Sequence, residues 1–98
     1  MTRYISKDGT DKIVYTGTGV QEDILFKKDS GYSLDGSIRV TGGVSDVFTL
    51  QEKLVDWQDE IVSSGGKIPS LPITGKSAGV RLNIGTNISG NIILEIIL

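Results

Sequence analysis

Between residues 44 and 66 the chain reads VSDVFTLQEKLVDWQDEIVSSGG, and no other stretch constrains the fold as strongly. Val47, Leu50, Leu54, Trp57 and Ile61 recur at spacings of 3, 4, 3 and 4, which places them on one face of an α-helix. The segments on either side alternate apolar with polar residues and are punctuated by Gly, Ser, Thr, Asn and Asp, the pattern of strands and turns. The pattern predicts a mainly β domain, a β-sandwich or a small barrel-like sheet. One amphipathic α-helix at about 46–63 interrupts it, giving the order β–α–β along the chain.

The ends of this stretch carry helix signals. Ser45 or Asp46 can accept the orphan amide bonds of a first turn, and Thr49-Leu50-Gln51-Glu52 is a second capping-box candidate. Gly65-Gly66 supplies the left-handed residue that ends helices. With Val47, Leu54 and Ile61 at heptad position a, Leu50 and Trp57 fall at d, and Phe48, Val55 and Val62 widen the stripe at b. That width fits a helix packed on a sheet of its own chain, and it also fits a helix that meets neighbouring subunits.

Strands are predicted at 3–6, 12–16, 20–27, 80–84 and 92–98, with a further strand or hairpin over Tyr32–Val40 broken at Asp35-Gly36. Pro69 and Pro72 make Lys67–Ile73 an extended edge or connector. The last strand is apolar on both faces, Ile92, Leu94, Ile96 and Leu98 against Ile93 and Ile97, so both faces need cover. It must be central in its sheet or sealed by a neighbour. Ninety-eight residues make a single small domain, divided as a β-rich part over 1–43, the helix over 44–66 and a β-rich part over 67–98. A lone core of this size is marginal, which favours a homo-oligomer.

Composition narrows the chemistry. Twelve acidic against ten basic residues leave a net charge of −2, and no basic run exceeds Lys27-Lys28, so nucleic acid is not an expected partner. There is no cysteine and no histidine, which removes thiolate nucleophiles, sulfur-ligated metals and the commonest general base. Thr74-Gly75-Lys76-Ser77 resembles the end of a phosphate loop, but prolines precede it and a strand follows. Asp8, Asp11, Asp29 and Asp35 sit in glycine-containing turns without the dense spacing of a calcium loop. Asp56, Asp59 and Glu60 read as the solvated side of the helix. The expectation is therefore a protein that is not an enzyme, with no catalytic, cofactor-binding or metal residues, no cofactor and no small-molecule substrate. The N-terminus lacks the apolar run of a signal peptide, and Ile92–Leu98 is too short to span a bilayer, so no membrane partner is expected either.

A turn-rich β part, a short heptad helix within residues 44–62 opening Val-Ser-Asp-Val-Phe-Thr-Leu-Gln, and the segment 80–98 with its apolar terminal strand, in a small neutral-to-acidic chain without Cys or His, resemble small virion structural proteins of tailed bacteriophages, of the head-fibre and capsid-decoration type. That resemblance implies a non-enzymatic virion protein, made in the host cytoplasm, commonly trimeric and attached to a capsid or other virion protein. The residues expected at its core or oligomer interface are Val47, Leu50, Leu54, Trp57, Ile61, Ile92, Leu94, Ile96 and Leu98. Two other roles fit the residues. One is a carbohydrate- or protein-binding β-sandwich module using Tyr4, Tyr15 or Tyr32, and the other is a small cytoplasmic inhibitor or regulatory protein acting through a sheet edge.

Overall fold

A computed structural model describes the backbone of residues 2–5, 10–26, 36–73 and 78–97, and the side chains of 12–26, 36–72 and 78–97. Among the described residues ten strands follow one another: β1 (Thr2–Ile5), β2 (Thr10–Tyr15), β3 (Gly19–Val20), β4 (Asp23–Phe26), β5 (Gly36–Thr41), β6 (Val47–Lys53), β7 (Trp57–Val62), β8 (Lys67–Ile73), β9 (Gly79–Thr86) and β10 (Ile92–Ile97). They form two sheets. One is ordered β1-β4-β9-β6-β7, with β3 also paired to β9, and the other β2-β10-β5-β8. Only the β1–β4 pair is parallel among the described strands.

The predicted helix over 46–63 is absent; those residues form the antiparallel hairpin β6–β7, turned at Leu54-Val55-Asp56. The physical reason lies in a second period that the same residues satisfy. Phe48 and Leu50 alternate with Val47, Thr49, Gln51 and Lys53, and the β-branched and aromatic residues clustered here suit a pleated surface. As a strand, β6 buries Phe48 and Leu50 and gives β9 a seven-residue hydrogen-bonded neighbour. A helix leaves that edge of β9 without a partner, so tertiary pairing overrides the helical spacing. Gly65 and Gly66 do adopt the left-handed conformation, with φ of 60° and 76°, but in the turn from β7 to β8 rather than at a helix end. At Gly66 a Cβ would run into the carbonyl oxygen of Gly43, and the Gly42 amide donates to the Gly66 carbonyl at 2.7 Å, so two connections touch there through backbone alone.

The antiparallel pairs nest. β6 pairs with β7, β5 with β8, the interrupted strand β3/β4 with β9, and β2 with β10. Partners in every pair lie nearly equidistant in sequence from the Leu54–Asp56 turn, so the chain is one long hairpin rolled into two sheets. That strand order is the eight-stranded jelly roll, with β1 added at one edge.

Inward-facing residues of both sheets make one core. Ile24, Phe26, Phe48, Leu50, Val80, Leu82 and Ile84 come from one sheet, and Ile13, Tyr15, Ile38, Val40, Ile68, Ile92, Leu94 and Ile96 from the other. Two strand expectations hold: β8, with its prolines, is an edge strand, and β10 lies between β2 and β5. The expectation that both faces of β10 are covered holds for one: Ile92, Leu94 and Ile96 are buried, whereas Ile93 is half-buried and Ile97 exposed. The strand predicted at 20–27 is broken at Gln21-Glu22, where its register against β9 slips by one residue. No helix among the described residues is long and apolar enough to cross a membrane.

Candidate functional site

Asp46 organises one end of the sandwich. It is the sole buried charged or polar side chain among the described residues, and its carboxylate joins two connections. Oδ2 accepts from the Gly43 amide at 2.7 Å and from the Ser89 hydroxyl at 2.5 Å, while Oδ1 accepts from the amides of Ile88 (2.7 Å) and Ser89 (3.2 Å). The Ser89 hydroxyl above all, aided by the three amides, outweighs desolvation and lowers its pKa to about 2. The helix cap expected at Ser45 or Asp46 is absent with the helix; Asp46 instead ties the β5–β6 and β9–β10 connections together.

This frame displays apolar side chains to solvent. Val44 (81% exposed) lies between the two ends of the Gly43–Asp46 turn, and Ile88 (72%) carries one of the amides that Asp46 holds. Val47 and Val62 are exposed on the adjoining strands.

On the outer face of the six-stranded sheet, Trp57 meets a polar chain. The Arg81 guanidinium stacks 4.2 Å from the indole centroid, and Lys53 Nζ lies 5.9 Å from it. Arg81 Nε donates to Gln51 Oε1 at 2.7 Å, Gln51 Nε2 donates to Asp59 Oδ1 at 2.8 Å, and Arg81 pairs with Asp23 at 3.6 Å. These groups come from four strands and become neighbours through the β4–β9–β6–β7 register. Near the hairpin tip, desolvation and then the charge of Glu60 raise the pKa of Glu52.

The outer face of the four-stranded sheet carries a different pattern. Val14 and Ile93 pair across β2–β10, and Glu95 lies between Lys12 and Arg39, with an Arg39–Glu95 ion pair of 3.1 Å. Ile97 extends the apolar row.

The residues expected to share one interface are separated. Leu50 is buried and Ile61 packs on the core, whereas Val47, Leu54 and Trp57 face outward. Ile92, Leu94 and Ile96 are core. Tyr15 is buried, which removes it as a binding aromatic. The side chain of Tyr4 and all of Tyr32, Leu98, Asp8, Asp29, Asp35, Lys27-Lys28 and Thr74–Ser77 lie outside the described residues. Among the described residues no three His, Cys, Asp or Glu side chains are grouped to hold a metal ion. The Trp57–Arg81 contact had no local signal, because it depends on β9 lying beside β6. The described surfaces offer exposed aliphatic side chains, the stacked Trp57–Arg81 pair and paired charges. Comparison with protein-family models, curated proteins and solved structures gives no match.

Proposed function

We propose that this chain is a non-enzymatic structural protein of a bacteriophage virion, a capsid-attached fibre or decoration protein that associates with itself and with another virion protein. The supporting observation is the set of outward large aliphatics, Val44 and Ile88 on the connections that Asp46 holds and Leu54 and Val55 exposed at the β6–β7 turn. Exposed apolar surface of this kind costs solubility unless a partner covers it. Self-association through a helical seam is no longer available, so the sheets and their turns must carry it. The jelly-roll strand order is common in viral capsid domains and also in lectins, which supports the reading by analogy of fold alone. A trimer remains the favoured state. Sedimentation at tens of micromolar should give an oligomer, and an antibody to the chain should label purified phage particles. A monomer that labels no particle overturns the reading.

A second reading, a carbohydrate- or protein-binding module, draws on Trp57 beside Arg81, Gln51 and Asp59. Glycan-array binding abolished by Trp57→Ala, in a protein that remains monomeric, favours this reading over the first.

A further inference from the structure

We propose that copies of this chain gather around a rotation axis that passes the Asp46 end of the sandwich, each setting the same uncharged surface against its neighbour. The inference rests on the self-association in the reading above and specifies where the copies meet. Four connections, 16–18, 42–46, 63–66 and 87–91, form this end. Hydrogen bonds join them: the Gly42 amide donates to the Gly66 carbonyl, Asn87 Nδ2 donates to the Gly17 carbonyl, and Asp46 holds Gly43, Ile88 and Ser89. Their only charged residue is Asp46, which is buried. The adjoining half of the six-stranded sheet continues the surface. Val20, Asn83, Thr49 and Val62 are direct cross-strand partners in one row. They share the outer face, because Leu82 and Ile84 on either side of Asn83 point into the core. Val47 and Thr86 pair one step nearer the end.

Val20, Val44, Val47, Val62 and Ile88 lie here, five of the nine exposed large aliphatics among the described residues. The nearest described charges, Glu22, Arg81 and Lys67, stand at the margin, and Lys67 is turned to the outer face of the other sheet because Ile68 beside it points into the core. An apolar centre with charge only at its rim is the anatomy of a protein interface. The absence of charge selects a second copy as the occupant. Close to a rotation axis each group lies nearest its own equivalent, so any charge there meets a like charge and opposes assembly. The Trp57 half of the same face, the β6–β7 turn and the outer face of the four-stranded sheet all carry charged side chains, whereas this surface meets the condition. A foreign partner can match charge with opposite charge and imposes no such neutrality.

Complementation between opposite charges tests the proposal. Val47 is exposed at the start of β6, and Val47→Lys and Val47→Glu each bring like charges together across the axis. In sedimentation velocity, at the concentration where the wild type is an oligomer, each variant alone should run as a monomer. An equimolar mixture of the two should return to the oligomer, with both variants in it. Unchanged circular dichroism and melting at dilution establish that each variant folds, and the same pair of changes at Val62 gives a second probe on the neighbouring strand. The wild-type oligomer should persist in high salt, whereas the mixed one, held by opposite charges, should dissociate. An oligomer that survives both Val47→Lys and Val62→Lys overturns this geometry and leaves self-association standing. Mixtures that stay monomeric at both positions overturn it too, because the side chains then do not meet their own equivalents. A wild type that is monomeric throughout removes both the geometry and the self-association.

Discussion

Leu50 and Leu54 distinguish a rolled hairpin from a helical seam. Both fall on the seam of the helical spacing, Leu50 at d and Leu54 at a, yet Leu50 is 2% exposed in the core and Leu54 44% exposed at the turn. Leu50→Ala removes a fully buried isobutyl group and opens a cavity between β6, β9 and β7, so it should cost about 2–5 kcal/mol. Full burial of a leucine is worth about 1.5–3 kcal/mol. Leu54 is barely half buried and leaves no cavity, so Leu54→Ala should cost under about 1 kcal/mol. A domain of this length has roughly 5–15 kcal/mol in total, so the first change consumes a large share of it. A 3 kcal/mol loss lowers the melting temperature by about 12–24 °C, and a loss under 1 kcal/mol lowers it by less than about 8 °C. Urea and thermal unfolding at high dilution, where assembly does not contribute, measure both. Equal losses at the two positions, or a larger one at Leu54, would refute the hairpin.

Four further outcomes are expected. Asp46 has a folded-state pKa depressed to about 2, so its contribution to stability is present above the ordinary carboxylate value of 3.8 and lost as the pH falls toward 2; Asp46→Asn should destabilise at pH 7 and flatten the acid limb of the unfolding profile. Glu52 is shifted the opposite way, so its ionisation opposes folding as the pH rises through its raised pKa, and Glu52→Gln should stabilise at pH 7 more than at pH 4 in urea titrations. Gly66→Ala should destabilise by about 1–3 kcal/mol from backbone conformation alone, with the clash against Gly43 in addition, read as a lower urea midpoint. Arg81→Met should red-shift the fluorescence of Trp57, the sole tryptophan, and remove about 0.5–1 kcal/mol of cation–π stabilisation at this partly exposed site.

The strand parts were legible because their period has no competitor. In β9, Val80, Leu82 and Ile84 alternate with Arg81 and Asn83, so its core side chains followed directly from sequence, whereas β10, apolar on both faces, carried no sign of which face is inward. The prolines of β8 likewise gave its edge position. Residues 47–62 were ambiguous because an apolar position every 3 or 4 residues also arises when two alternating strands fold about a short turn. Leu50 and Ile61 are four residues from Leu54 and Trp57, yet they face each other across β6–β7, an arrangement that no local window reveals. Ser45 or Asp46 reads from the sequence as the cap of a helix that does not form; Asp46 instead accepts from Gly43 and from Ile88 and Ser89, which come from a connection far along the chain. The Trp57–Arg81 surface was invisible for the same reason.

The nested pairing has a consequence in time. Only the pair β6–β7 can close locally; each later pair must bring together residues farther apart in sequence, ending with Tyr15 and Ile92. Closure entropy rises only slowly with loop length, but topologies dominated by distant pairs fold slowly as a class. The hairpin about Leu54 is therefore the natural nucleus, with strands joining outward from it like a zip pulled from the middle of the chain. During synthesis β2 leaves the ribosome early and β10 late, so the apolar residues of β2 wait longest for their partner. That interval exposes Ile13, Val14 and Tyr15 to aggregation, and a chaperone that holds β2 should raise the folded yield more than one that holds β9.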